Sequence, residues 1–570
     1  MEIDGLEREE AGFYDTDEAV DFILRASNLA QTDIAENTAI HLGKQLVGGY
    51  TVAYLQRGIV DTTIDAIEPA DLSAYPVILG LLGAIDLSVT GILQVQRQPY
   101  LGLKGGGMLI GVVDTGVDYT LPAFRYEDGS TKIISIWDQT IAGAPPSGYL
   151  FGSQYSEEDI NRALSVDDPY AIVPQRDTVG HGTFLAAAAA GREAEEYIGA
   201  APDADLLVVK LRKANPYHLA RHMIPSTQEN AFASSDVMLG INYILEQASE
   251  RKQPVSIFLG LGTNFGSHDG FSPLEGYLAR VSHLTGVSMV VAAGNEVLAR
   301  HHTHGRLAAA GATKNIEIQT GFTPDAINVQ IWNSAADIIS ISLRSPGGEL
   351  VGPAPARPGS TMDVKLVFEQ ARVNIQYHFP LSDSGGQLTW VKVYDPNPGI
   401  WTIIVHGDSV MDGNYHAWLP MTGFLNPDVA FIAPTPDNTI TVPATAIGVM
   451  SVGAYSAHTG NLYVDSSWGP TRLPMLAPVY VAPGVCVNGV YPLGHGAMSG
   501  TSVSAAMAAG VCTLLLQWGT LQKKQVMFNS HLLRSYLIGG CERDPGIAYP
   551  NDRWGYGRLN LMNTFVQLRG

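Results

Sequence analysis

Three short runs of consecutive apolar residues punctuate the chain: Leu109 to Val113 before an Asp-Thr-Gly, Leu206 to Val209 after Asp205, and Met289 to Ala293 before Gly294. Runs this continuous, ended by turn residues, predict strands buried on both faces. Between them the period changes, and Val237, Ile241, Ile244, Leu245 and Ala248 fall on one face of a helix. Alternating strand and helix patterns predict an α/β domain with a doubly wound parallel sheet.

Beyond residue 312 the pattern has period two. Ile339, Ile341 and Leu343 alternate with Ser340, Ser342 and Arg344, and Val373, Ile375, Tyr377 and Phe379 alternate with Asn374, Gln376 and His378. With turn signals at SPGG, ARPGS and DPNPG, this predicts an antiparallel β-sandwich inserted into the α/β domain. The α/β texture returns at TVPATAIGVMSVGAYS. Ahead of it all, FILRAS, GYTVAYL and TGILQVQ are candidate strands of a small α+β unit. The expected division is 1–98, 99–312, 313–437 and 438–570.

A chain of 570 residues, 46% hydrophobic, has the material for several cores. Its 34 basic against 55 acidic residues, net −21, exclude nucleic acid and anionic membrane surfaces as partners, since both would repel it. Cys486, Cys512 and Cys541 form no CxxC and no regular spacing, so buried free thiols are expected rather than a disulfide framework or a zinc site. The acidic start MEIDGLEREEAGF lacks a basic region followed by an apolar core, and no uninterrupted apolar stretch of spanning length follows. A soluble protein without a signal peptide is expected.

Single residues carry little until they are combined. Asp114 ends its apolar run, where the C-terminal edge of a parallel sheet gathers functional groups, whereas Asp118 and Asp138 do not end that run. His181 lies between Gly180 and Gly182, which allow close approach to an imidazole. His301, His302 and His304 match no common metal-ligand spacing. Asn295 follows a strand, and its amide is suited to donate to an oxyanion. In SGTSVSAAMAAG, Ser502 sits at a helix start; it reads equally as a cap until a base and its orienting partner are found.

Taken together, VVDTG, GHGT, AAGN and SGTS occur in the order Asp, His, Asn, Ser, which separates this arrangement from the two other common serine-hydrolase orders. The sequence resembles the subtilisin-like (S8) serine proteases. The resemblance implies Ser502 as nucleophile, His181 as general base and then acid, Asp114 as its orienting carboxylate, and Asn295 with the Ser502 N–H as oxyanion hole. It also implies that Gly260, Leu261, Gly262, Ala292, Ala293 and Gly294 border the cleft and pair with an extended peptide. The words IWDQT, GTNFGSHDG, GNEVLARHH, SSWGPT and YPNDRWGYGRLNL resemble the clostridial Csp-type germination proteases.

That narrower resemblance implies an N-terminal prodomain that stays bound after self-cleavage, a jelly-roll insert, and a spore cortex-lytic zymogen as substrate. It also implies a location in the bacterial spore or cytoplasm, with secretion by an unrecognised route left open. The last prodomain strand is expected around TGILQVQ, with cleavage at Gln96 or Gln98. Protein or peptide substrates and the chain's own prodomain are the expected partners, and no cofactor or metal is expected. The same group includes pseudoproteases, so a non-catalytic sensor or scaffold is the alternative. The chain departs from the subtilisin pattern at Ala506, where Pro is usual, at Gly260, where Ser is usual, and at Ala477 and Val479.

Overall fold

The computed structural model describes residues 13–25, 39–67, 73–82, 90, 92–97, 102–192, 198–322, 326–381, 384–522 and 528–568. The three apolar runs are strands of one eight-stranded sheet, built in chain order from β1 (Leu109–Asp114), β2 (Ile133–Asp138), β3 (Ser153–Ser156), β4 (Asp205–Lys210), β5 (Val255–Leu259), β6 (Val287–Ala292), β7 (Met450–Tyr455) and β8 (Tyr480–Pro483). Their spatial order is β8-β7-β6-β5-β1-β4-β2-β3. All neighbours pair in parallel except the edge pair β2–β3.

Helices cover both faces, as the buried runs require. One face packs on α1 (His181–Ala190) and α3 (Thr501–Gln517), the other on α2 (Ser234–Arg251). The helices α1 and α3 are fully buried, and their Ala-rich sequences bring the two backbones close together. An 18-residue window of the stretch Thr501–Thr520 is apolar enough in composition to cross a membrane, which the sequence reading missed, but it is 94% buried in the protein core.

The period-two region forms a six-stranded and a five-stranded antiparallel sheet that share one apolar core. Its strands run from His302–Arg306 to Ala430–Phe431, so the first lies upstream of the expected boundary at 313. Ser340 and Ser342, which alternate with the apolar positions, are buried as well, with Asp408 and His406 as their hydrogen-bond partners.

At the N-terminal end, Ala19–Arg25, His41–Leu46 and Tyr50–Gln56 make a three-stranded antiparallel sheet with the helix Val60–Ile67. The sheet rests on α2. FILRAS and GYTVAYL overlap two of these strands. TGILQVQ does not form a strand: Ile92–Arg97 is a helix, with Ile92 and Val95 buried three positions apart on one face.

Candidate active site

Asp114 ends β1 at the centre of the sheet, between β5 and β4, where the chain crosses over from β4 to β5. It is fully buried, and its Oδ1 accepts from Thr115 N–H at 2.8 Å and faces His181 Nδ1 at 2.7 Å. His181 is the first residue of α1. The preceding Gly180 has a left-handed φ of 86°, and a Cβ on Gly182 would lie 2.2 Å from the Gly116 carbonyl oxygen. Glycine at 182 is therefore what lets α1 start against Asp114.

Asp177, which sequence reasoning passed over, organises that start. Its carboxylate accepts from Gly180 N–H, Thr183 N–H and the Thr115 and Thr183 hydroxyls, at 2.6–2.9 Å. The signal was present in DTVGHGT, an Asp a few residues ahead of a helix start.

Ser502 is the second residue of α3, and its Oγ lies 3.3 Å from His181 Nε2. Burial favours the neutral imidazole, but the Asp114 charge and hydrogen bond, helped by the Leu82 carbonyl and Asp177, outweigh it and raise the His181 pKa above its ordinary value. Nδ1–H donates to Asp114, which leaves Nε2 as the acceptor facing the serine hydroxyl. Asp118 and Asp138 instead close local turns through Thr120 and Thr140.

Asn295 follows Gly294, whose φ is 111°. Its Oδ1 accepts from Thr501 N–H at 3.1 Å, which fixes the amide and leaves its NH2 as the donating group. Ser502 N–H, expected as the second oxyanion donor, belongs to the first turn of a helix, where backbone N–H groups lack intrahelical partners and the dipole favours negative charge.

That donor is already engaged. The strand Ile78–Leu81 runs antiparallel to Leu261–Gly262, with Leu81 opposite Leu261 and Gly80 opposite Gly262. On its other edge Ile78 and Leu79 pair with Ala233 and Phe232. Leu82 N–H donates to Gly260 O, and Leu82 O accepts from Ser502 N–H, both at 3.0 Å. The same carbonyl oxygen is 3.4 Å from His181 Nε2.

Two expectations are corrected here. The cleft strand is 78–82 rather than TGILQVQ, and Gln96 lies on a helix with its amide donating to Gly199 O and Ala200 O, at 3.0 and 2.8 Å. Gln98 lies outside the described residues. Gly260, Leu261 and Gly262 do pair with the cleft strand, but Ala293 and Gly294 bond instead to Val452, Thr441, Thr501 and Ser467, and Ala292 pairs with Val452 inside the sheet. Phe232–Ala233 takes the place expected for 292–294.

The Leu82 side chain fits against Gly262, where a Cβ would lie 3.0 Å from Leu82 Cδ1 and 2.5 Å from Thr441 Oγ1. At Gly260 a Cβ would lie 2.8 Å from Ser502 Cβ and 2.7 Å from Leu185 Cδ1, so the departure from Ser is matched by tighter packing around Ser502. Ala506 is buried in α3; nothing in the structure explains Ala477 and Val479.

In the histidine group, His301 bonds apart from the others, while the rings of His302, His304 and His416 lie together, their centroids 5.4–5.9 Å apart. His301 Nδ1 meets Glu296 at 2.9 Å, His302 Nε2 meets His416 Nδ1 at 3.2 Å, and His304 faces Asp437 at 3.2 Å. Among the described residues no cluster of His, Cys, Asp or Glu has the geometry of a metal site. All three cysteines are free, and burial pushes the Cys512 and Cys541 thiols up to about 12.

The subtilase family model matches residues 105–377 and 413–557. The CspB protease of Clostridium perfringens is similar in structure, with a TM-score of 0.75 and 30% identity over 84% of this chain and 96% of that one. The prenylagaramide maturation protease PagA aligns with a TM-score of 0.41 and 14% identity over 84% of this chain and 99% of that one. No curated protein sequence matches. Family match and structural likeness, joined to an Asp, His and Ser within hydrogen-bond reach of one another, place this chain in the subtilase (S8) family of serine proteases, related to the Csp proteases.

Proposed function

We propose that the protein is a serine endopeptidase made as a self-cleaving zymogen, and that the bond it cuts in itself joins Leu82 to Gly83. The observation that carries this reading is the Leu82 carbonyl: its oxygen accepts from Ser502 N–H while His181 Nε2 lies 3.3 Å from Ser502 Oγ. That is the arrangement an acyl transfer needs before the serine attacks.

In the reaction, Ser502 Oγ adds to the Leu82 carbonyl carbon as its proton passes to His181 Nε2. Asp114 stabilises the resulting imidazolium. Ser502 N–H and the Asn295 amide hold the oxyanion, then His181 donates its proton to the departing Gly83 nitrogen, and water hydrolyses the Leu82 ester.

Residues 1–82 then act as prodomain and inhibitor. Ser502 is fully buried and His181 only 5% exposed under this segment, so a second substrate enters only when the segment leaves. The completeness of the triad weighs against the non-catalytic alternative. The Csp likeness supports a protein substrate in trans, with a spore cortex-lytic zymogen as the class it implies.

The test sets wild type beside Ser502→Ala. Wild type is expected to separate into two fragments and to label with a fluorophosphonate, and the variant to do neither. A wild type that stays full-length and unlabelled rejects the reading.

A further inference from the structure

Gly80, the third residue before the Leu82–Gly83 bond, is extended rather than left-handed, so its backbone does not require glycine. Space does. A Cβ there would lie 3.1 Å from Met421 Sδ and 3.2 Å from Phe424 Cζ, closer than side chains ordinarily pack. In an ordinary antiparallel cleft strand alternate side chains point away from the enzyme, yet here the third position lies under a wall.

The wall comes from the segment that follows Asn414–Trp418, a strand of the inserted sandwich. It is held firmly. Met421 and Phe424 are 2% and 3% exposed, and Phe424 N–H donates to Met421 O at 3.0 Å. Thr422 N–H donates to Glu296 Oε1, while Glu296 Oε2 meets Asn264 Nδ2 and His301 Nδ1, at 2.9–3.1 Å. Gln228 Nε2 donates to Gly423 O at 2.8 Å, and Leu419 N–H to His301 O at 2.9 Å. Both side chains are buried, although Thr422 and Gly423 between them are exposed, and three hydrogen bonds tie the loop to the α/β body, which leaves the wall little room to yield.

We infer that Met421 and Phe424 form a specificity wall through which the inserted sandwich restricts the third residue before the cleaved bond to glycine. The inference rests on the protease reading above and deepens it. Substrates in trans are apolar peptides of the pattern of the chain's own Ile-Leu-Gly-Leu-Leu, with glycine in the third place before the cut.

The experiment follows self-cleavage of Gly80→Ala and Gly80→Val chains, each with and without Met421→Ala plus Phe424→Ala. Overpacking of this kind is expected to slow Gly80→Val by about tenfold to a hundredfold and Gly80→Ala by less. The opened wall is expected to bring Gly80→Val to within about threefold of the same wall variant carrying Gly80. A Gly80→Val chain that processes at the wild-type rate, or one that the opened wall does not relieve, overturns the inference.

Because the wall variant removes two buried side chains, a second reading uses the processed wild-type enzyme with fluorogenic Ile-Leu-X-Leu-Leu peptides. The order Gly, Ala, Val in kcat/KM supports the wall, and equal values overturn it. If wild type neither self-cleaves nor labels, the protease reading fails separately. The wall is then judged in Ser502→Ala: Gly80→Val should expose residues 73–82 to added trypsin-like or thermolysin-like proteases, and unchanged protection overturns it.

Discussion

Replacing Asp21 with Ala removes the carboxylate that ties the N-terminal sheet to the catalytic body. Asp21 is 1% exposed; its Oδ1 lies 3.1 Å from His218 Nε2, and the Ser235 hydroxyl donates to its Oδ2. His218 keeps a second partner in the variant, the Asp21 backbone carbonyl at 2.9 Å. The loss therefore falls at the low end of the ~3–5 kcal/mol for stranding one member of a buried pair. Hydrogen bonds to a charged group contribute about 1.5–3 kcal/mol each, and a net loss of ~3 kcal/mol corresponds to retention of the cleaved prodomain weakened about a hundredfold.

The pH dependence follows from the same contacts. Burial pushes the Asp21 carboxyl up, but the His218 charge and hydrogen bond, with Arg212 and Ser235, outweigh it and bring the pKa down from 3.8 to about 2. A carboxylate with a lowered pKa contributes stability that is fully present above 3.8 and lost as pH falls through about 2. The gap between wild type and Asp21→Ala should close in strong acid, as pH falls from 3.8 through about 2. The assay dilutes the processed complex and follows the onset of Ile-Leu-Gly-Leu-Leu peptide hydrolysis as the prodomain leaves. Equal release rates for Asp21→Ala and wild type would refute the reasoning.

Asn295→Ala should lower the rate of self-cleavage about 10²–10³-fold with folding intact, read from quenched time courses and circular dichroism. The acid limb of peptide hydrolysis should have its midpoint above pH 6.5, because the base must be neutral and His181 is raised; Asp114→Asn should move that limb down, as a kcat/KM profile will record. At Gly260, an alanine Cβ 2.7–3.1 Å from Leu185, Ser502 and His181 should cost about 1–3 kcal/mol of packing and slow cleavage at least tenfold. A Gly260→Ala enzyme as fast as wild type would remove the packing explanation for that residue.

The residues proposed as catalytic were legible as candidates because each sits at the end of an element with a strong pattern. Asp114 ends and Asn295 follows a strand buried on both faces, and His181 and Ser502 open helices of small residues. The cleft strand was not legible. VILGLLG and TGILQVQ are both short and apolar, and such runs do not distinguish strand from helix by period alone. Tertiary contacts decide: Leu81 and Gly80 find partners in Leu261 and Gly262, while Gln96 finds carbonyls on another loop. The wall of Met421 and Phe424 was illegible for a related reason, since more than three hundred residues separate it from Gly80 and neither side chain carries chemistry.

The identity of the bond the enzyme cuts in itself is the central claim, and the intact mass of the N-terminal fragment released by denaturing the purified wild-type protein tests it directly. The expected fragment ends at Leu82, with the larger fragment beginning at Gly83. A fragment ending at Gln96 or Gln98, or an uncut chain, would contradict it.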